Sequence, residues 1–408
     1  MHYLMKKRRV VFRATRFNRL TIPLLLNIWE THHIDRRFDI IVAQQPIPTQ
    51  KGDVLVYSFM TPHAPMVAEE LRQIDRNGVL IVGGGPHING DIELPLAMGF
   101  DVLLRGAGEE TFLRFGNDLA EGNLGPGPTI YTAEGNGEFN HYLPFSRYTR
   151  TVPPLEIMRG CHWRCKYCQT HNNHIQFRSL DSIQAYLETM HTANRQRVNF
   201  ISPSALEFAA PKGRQLSLPH IEKVLRTAAS YRFKFLEYGI FPSEVRPDNV
   251  TDEAMALLKR YVTNRMITMG AQSGVEHRLR EINRGHRLRA IEESLDIANR
   301  HDFFVNLDFI FGYPGETADE RSQTLNLIRE LHRRFRVRVQ LHHFFPVSGS
   351  GYAFRFPSYM SEGEKETLLQ FKRNGILTDQ WQANERETLD FFQWLESRHP
   401  DIYRKFKP

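Results

Sequence analysis

The feature that most restricts the fold open to this chain is an alternation along most of its length. Short runs rich in β-branched and other apolar residues are separated by amphipathic stretches. In the amino-terminal part the runs are VVFRA, FDIIVAQ, DVLVYSF, GVLIVGG and FDVLLRG. Nearly continuous apolar runs of this length suit strands buried on both faces, and helices between such strands make their sheet parallel. The expectation is a doubly wound, Rossmann-like sheet over residues 1–120. The stretch EGNLGPGPTIYTAEGNGEFN is dense in Gly, Pro and Asn, so residues 121–150 read as a linker holding one short hairpin. After Pro154 the alternation resumes through LEIMRG, RVNFIS, FKFLEYGI, RMITMGAQ, FVNLDFIFG and VQLHHFFPV. Six such units predict an α/β, TIM-like partial barrel over residues 151–350, with its active site at the strand carboxyl ends. Residues 351–408 read as a helical extension.

Length supports this division, since 408 residues at roughly 100 to 200 per domain allow two or three domains. The 41% hydrophobic and 24% charged composition is that of a folded globular chain. LTIPLLLNIW, broken by Pro23, falls short of the ~20 apolar residues that span a bilayer, and no small-residue cleavage site follows it. A cytoplasmic location and no membrane partner are expected. The formal charge of +7 is compatible with nucleic acid, an acidic protein or anionic cofactors, and the basic start MKKRRVVFR reads as a solvated strand entrance.

The cysteine count is the first chemical signal. All three fall in RGCHWRCKYCQT, directly after the first barrel strand. An odd, clustered set makes a poor disulfide framework and a good metal site in reducing surroundings. Cys161, Cys165 and Cys168 can ligate three irons of a [4Fe–4S] cubane and leave the fourth open. The rival is zinc held by the same thiolates with His162 or His171 as fourth ligand, although structural zinc sites usually split their ligands into two separated pairs.

Cys-x3-Cys-x2-Cys after a strand, with Tyr167 before the last cysteine, resembles the radical S-adenosylmethionine superfamily over about residues 150–350. The resemblance implies that the open iron chelates the amino and carboxylate groups of S-adenosylmethionine. One-electron reduction then yields methionine and a 5′-deoxyadenosyl radical that abstracts hydrogen. Other segments follow in the family's order. NFISPSALEF offers Ser202 and Ser204, without the usual Gly-Gly-Glu. GIFPSEVRP offers Ser243 and Glu244 as hydrogen-bonding groups for the ribose and Arg246 for a carboxylate. GAQSG offers Gln272 at a strand end, and DFIFGYPGE offers Gly312 in a tight turn near adenine. Taken singly, Ser243 as a helix cap, Glu244 as a surface ion pair and the glycines as turns are the plainer readings. Their order along one barrel favours a nucleoside pocket.

VGGGPH and LLRGAGEETF on the first sheet resemble the cobalamin-binding domain that precedes the radical domain in one subfamily. The first βα turn, ATRFNRL, lacks the G-x-G-x-x-G of dinucleotide binding. The resemblance implies cobalamin contacts at Ser58, Phe59, Thr61, Gly83, Gly84, Gly85, His87, Gly106, Gly108, Glu109 and Thr111. Glycines would let the macrocycle approach, and hydroxyls would donate to its amide and phosphate oxygens. No Asp-x-His-x-x-Gly run is present, so His87 is expected as a loop residue or tail contact and not as a cobalt ligand.

The resemblance implies methylation of an unactivated carbon, with methylcobalamin as methyl source and a flavodoxin- or ferredoxin-like electron donor. The enzymatic alternative is a cobalamin-dependent rearrangement or cyclisation of a small molecule. Another is a non-catalytic cobalamin- or zinc-binding sensor. Transfer RNA methylthiolation and a nucleic-acid partner are disfavoured, because those relatives carry further amino-terminal cysteines and this sequence holds three in all. A peptide or protein substrate is expected, and compact archaeal members suggest the α-carbon of a glutamine in methyl-coenzyme M reductase.

Overall fold

The computed structural model describes residues 7–408 other than 136, 212–214 and 379. The first five residues of the basic start therefore divide, and Met5 and Lys6 lie outside the described residues. The chain forms two compact units. The first holds the residues up to Pro154 with Val347–Gly349 and Gln393–Arg404, and the second holds Leu155–Pro346, Ser350–Phe392 and Lys405–Pro408.

The first unit is built on β1 (Arg9–Arg13), β2 (Asp39–Ala43), β3 (Val54–Ser58), β4 (Leu80–Gly84), β5 (Val102–Arg105) and β6 (Thr129–Thr132). They pair in parallel in the order β2-β1-β3-β4-β5-β6. Strand order reverses between β1 and β3, and ligands of open parallel sheets bind outside the carboxyl ends at such a switch point. Helices α1 (Ile22–Thr31), α2 (Ala64–Arg72), α3 (Pro86–Gly90), α4 (Glu93–Ala97) and α5 (Gly108–Glu121) connect the strands. Pro23, which interrupts the apolar run LTIPLLLNIW, stands in the first turn of α1, where a missing N–H costs nothing. Trp29 of α1 stacks on Phe112 of α5 at 4.5 Å and donates its indole N–H to the Phe112 carbonyl at 3.0 Å.

The glycine-rich stretch departs from expectation. Its TIYT segment is β6, parallel to β5 and paired Val102↔Thr129 through Arg105↔Thr132, where a hairpin within a linker was expected. Tyr131 and Tyr142 are buried in the core of the first unit, and Arg147 and Tyr148 both bond the buried Asp35 carboxylate. A few large aromatics dock this stretch despite its turn-forming composition, because burying them offsets the cost of ordering the flexible residues nearest to them.

The second unit carries β7 (Leu155–Glu156), β8 (Met158–Arg159), β9 (Gln176–Phe177), β10 (Arg197–Val198), β11 (Phe200–Ile201), β12 (Phe235–Leu236), β13 (Met266–Gln272), β14 (Phe304–Phe311) and β15 (Val337–His343). β7 pairs with β11, β10 with β12, and β13, β14 and β15 with each other, all in parallel. Bridges Ser202↔Ser243 and Val245↔Met269 join these pieces, so six segments form one curved row, as the partial barrel requires. Helices α6 (Leu180–Thr192), α7 (Leu218–Ser230), α8 (Asp252–Tyr261), α9 (Glu276–Glu281), α10 (Leu288–Arg300) and α11 (Ala318–Arg334) cover it. Leu307 and Phe309 of β14, with Val339 and Leu341 of β15, are fully buried. Asn306 and Asp308 alternate with them and point to the opposite face. The extension forms α12 (Glu362–Arg373), α13 (Gln380–Arg398) and α14 (Pro400–Tyr403).

Candidate active site

The cysteine loop leaves β8 at Gly160. With φ +75° there, an added Cβ would meet the carbonyl oxygens of Asn173 and His174 at 2.6 and 2.7 Å, so glycine is required before Cys161. The Cys168 amide bonds the Cys165 carbonyl at 3.0 Å, a tight turn that places the last two thiols close in sequence and space. Tyr167 reaches the buried Tyr313 ring at 5.8 Å and joins the cluster formed by Leu279, Ile282, Phe344 and Tyr352. On the other side of the loop, Trp163 donates its indole N–H to Glu207 at 2.6 Å.

A cavity of about 440 Å³ opens on this loop. Its walls include Cys161, Cys165, Cys168 and Tyr167 together with Ser202, Glu244, Arg246 and Gln272, so residues separated by more than a hundred positions converge as the sequence motifs suggested. Gln272 has φ +74° at an irregularity in the β13–β14 register. Its side chain lies across Gly270, where an added Cβ would overlap the Gln272 amide nitrogen. Gln272 Oε1 and Arg246 Nη1 are buried without a hydrogen-bond partner, as are Ser204 Oγ and Ser243 Oγ close by. Uncompensated buried polar atoms around a cavity suit a polar ligand that completes their bonding. Burial pushes the Glu244 carboxyl up, against the opposing pull of Arg284.

Other expected positions fall elsewhere. Ser204 and Ser243 do not line the cavity, and Ser243 instead bridges to Ser202 between strands. Gly312 does not line the cavity; its φ is +86°, and the space where a Cβ would stand is taken by His343 Nε2 at 2.6 Å and the Ser358 carbonyl at 2.9 Å, so only glycine fits there. His162, one zinc alternative, has its ring nitrogen on the Ala210 carbonyl at 3.2 Å. Among the described residues no three His, Cys, Asp or Glu side chains converge on a single-ion site. The cysteines instead face a cavity wide enough for an inorganic cube. The sequence reading missed Glu156, Trp163 and Arg284, all of which line the cavity. The only hint was Trp163 standing between two cysteines.

In the first unit, Ser58, Phe59, Gly83, Gly84, Gly85, Gly106 and Gly108 sit at or just beyond the carboxyl ends of β3, β4 and β5, on the ligand-binding edge. Gly85 has φ +96°, and its Cβ would meet Ser58 Oγ at 2.7 Å. Thr111 is turned inward, with its hydroxyl on the Ala107 carbonyl at 3.1 Å, so it does not offer the free donor expected of it, and Glu109 is buried. Thr61 is engaged by the Ser348 amide at 3.0 Å and by His87 Nδ1 at 3.1 Å. His87 is 1% exposed, and burial alone lowers its pKa to about 3. It is a neutral structural residue. A small recess lies at the switch point itself, between Arg13, Thr15 and Asn18, at the end of β1 and just beyond it, and Ser58, Phe59 and His63, at the end of β3 and just beyond it. Phe17, Met60 and Met66 are exposed around it, and Phe17 stacks on His63 at 3.7 Å. Thr15, Asn18 and His63 carried no signal in the sequence.

A partial barrel of parallel strands, with three cysteines on one loop above a polar cavity at the strand carboxyl ends, has the residues to hold a metal cluster beside a nucleoside-sized ligand. Residues 155–328, within the second unit, match the model of the Radical SAM superfamily. The chain is 24% identical over 316 residues to the uncharacterized protein MJ0966 of Methanocaldococcus jannaschii, covering 70% of this chain and 63% of that one. It is 25% identical over 188 residues to the ribosomal protein uS12 methylthiotransferase RimO of Caldanaerobacter subterraneus subsp. tengcongensis, covering 44% and 42%. The chain thus spans less than two thirds of these relatives. The fold as a whole is shared with the radical S-adenosylmethionine methyltransferase TsrM from Kitasatospora setae, solved with cobalamin and a [4Fe–4S] cluster bound. The TM-score is 0.57 at 14% identity, over 85% of this chain and 78% of that one.

Proposed function

We propose that the protein is a cobalamin-dependent radical S-adenosylmethionine C-methyltransferase that methylates an unactivated carbon. The observation that carries the reading is the single cavity in which Cys161, Cys165 and Cys168 face Glu244, Arg246 and Gln272. The fit rests on chemistry visible there. Three thiols suit a cluster with one open iron, and unpartnered Arg246 Nη1 and Gln272 Oε1 offer one donor and one acceptor to a bound amino acid nucleoside. Arg246 supplies a planar cation for a carboxylate, and Glu244, with its carboxyl held toward the protonated form, can donate to or accept from a ribose. Tyr167 and Trp163 wall the loop on both sides and limit water where a carbon radical must survive.

The first unit supports the second cofactor. Glycines at the ends of β4 and β5 keep the sheet edge low, and the exposed Phe17, Met60 and Met66 give an apolar rim for a flat macrocycle. When bound, cobalamin supplies a methyl group to a carbon radical. The residues of this edge only hold and orient it, with Ser58 placed at its centre.

We propose further that the acceptor is a peptide or protein residue, with the α-carbon of a glutamine in methyl-coenzyme M reductase as the specific case, and that a flavodoxin- or ferredoxin-like protein delivers the electron. A second reading, methylthiolation, is favoured by the likeness to RimO. Anaerobic reconstitution with iron, sulfide and cobalamin, followed by mass spectrometry, separates the outcomes. The proposed reaction gives 5′-deoxyadenosine, S-adenosylhomocysteine and a product heavier by one CH2. Sulfur insertion gives a different mass, and a rearrangement adds none. Absence of 5′-deoxyadenosine under strong reduction rejects the enzyme class.

A further inference from the structure

The segment Ile282–His286, which follows α9, contributes Arg284 to the cavity wall, and every one of its first four residues touches the cysteine loop. The Ile282 carbonyl accepts from the Lys166 amide at 3.0 Å. Asn283 Nδ2 donates to the Arg164 carbonyl at 3.0 Å. Gly285, with φ +88°, lies directly beneath the Trp163 ring, where any Cβ would overlap the indole. Arg284 directs Nη1 at Cys165 Sγ, 3.9 Å away. The Arg284 carbonyl also accepts from Arg246 Nη2 at 2.7 Å, so the segment is tied to the arginine that stacks on the loop's Trp163.

Arg284 is oriented from three sides. Nη2 donates to the Gly270 carbonyl at 2.7 Å, Nε meets His286 Nε2 at 3.3 Å, and Nη1 is left for the sulfur. His286 is buried and its pKa is lowered to about 3 by burial and by the Arg284 and Arg246 charges, so its ring is neutral and Nε2 can accept. A guanidinium cannot lose its proton in a protein. Placed on a ligand sulfur, a fixed positive charge and an N–H···S bond favour the more negative, reduced form of an iron–sulfur cluster.

We infer that Ile282–Gly285 is a clamp for the cysteine loop and that Arg284 is a positioning residue that raises the reduction potential of the cluster bound at Cys165. The inference rests on the radical domain reading only in that a cluster must be present. It adds that this chain tunes the cluster through a cation outside its cysteine motif.

The test uses the full chain reconstituted with iron and sulfide, comparing wild type with Arg284→Gln, Arg284→Lys and the exposed control Arg289→Gln. Iron content, circular dichroism and an electron paramagnetic resonance-monitored redox titration are read for each. R284Q is expected to keep its fold and to shift the potential negative by the equivalent of about tenfold in the reduction equilibrium, ~59 mV for one electron. R284K should fall between it and wild type, and R289Q should not move. If R284Q holds no iron while R284K does, the requirement for a cation at the sulfur stands. An unchanged potential in iron-loaded R284Q, or loss of iron in both variants alike, overturns the inference. A wild type that takes up no cluster overturns instead the reading of the domain on which it rests.

Discussion

The guanidinium carbon of Arg246 lies 3.7 Å from the centroid of the Trp163 ring, stacking a charge from the barrel onto an aromatic inside the cysteine motif. Glu207 ties the pair together by accepting from the Trp163 indole and lying 3.7 Å from Arg246 Nε, while Asn249 donates to the same oxygen at 2.8 Å. The cysteine loop is therefore not a free flap. Its geometry is set by a stack whose Arg246 is itself buried and lines the cavity.

Substituting Arg246 by Lys keeps the charge and removes the planar fork and the stack. Cation–π contacts at desolvated sites are worth ~2 kcal/mol, so S-adenosylmethionine affinity should fall at least tenfold while iron content stays near that of the wild type. Equilibrium dialysis with labelled S-adenosylmethionine, beside an iron assay, reads both quantities. Unchanged affinity in R246K would remove Arg246 from the site.

Replacing any one of Cys161, Cys165 or Cys168 by Ala should cost most of the bound iron and the absorption of the cluster. The chain has no other cysteine, so alkylation in denaturant should find three thiols in the stripped protein. Under native conditions the cluster-loaded form should resist labelling. Rapid labelling of all three in the loaded protein would show that they do not ligate.

Asp308, on β14, gives a pH dependence with a definite sign. Burial, with the Glu244 charge adding and Arg284 opposing, raises its pKa from 3.8 to about 8. The folded form thus binds a proton that the unfolded chain releases near 3.8, and stability falls as pH rises from about 4 to about 8. Asp308→Asn removes the titration and can still accept the bond from Asn306, 3.2 Å long. The variant's gain in unfolding free energy over wild type should grow across that window and level off above it, by an amount on the order of a few kcal/mol. A difference independent of pH in calorimetry would show that Asp308 ionises normally.

Gly90, at the end of α3, is expected to tolerate no side chain. An added Cβ would overlap the Ser348 backbone, in the same place where Ser348 Oγ donates to the His87 carbonyl at 2.9 Å. Overpacking against backbone costs ~1–3 kcal/mol or more, so Gly90→Ala should lower the chemical denaturation midpoint of the first unit clearly. Gly125→Ala, which meets nothing, should leave it unchanged.

The alternation of apolar runs, the cysteine triplet and the glycine-bearing strand ends were all legible in the sequence. They depend on local periodicity and on residues whose chemistry admits few roles, and the structure set every one of those runs in a strand at the expected place. Long-range packing determined the remainder. TIYT joins a parallel sheet because Tyr131 and Tyr142 find a core that their neighbours do not advertise. Gly312 faces His343, and Thr111 turns into its own helix, because side-chain direction follows from which face of an element is covered. Arg284 reaches Cys165 across more than a hundred positions, a contact without periodicity or spacing to betray it. Local sequence specifies which elements form and which atoms can do chemistry, whereas a charge set against a particular sulfur exists only after the chain has closed, since burial and direction belong to the tertiary structure.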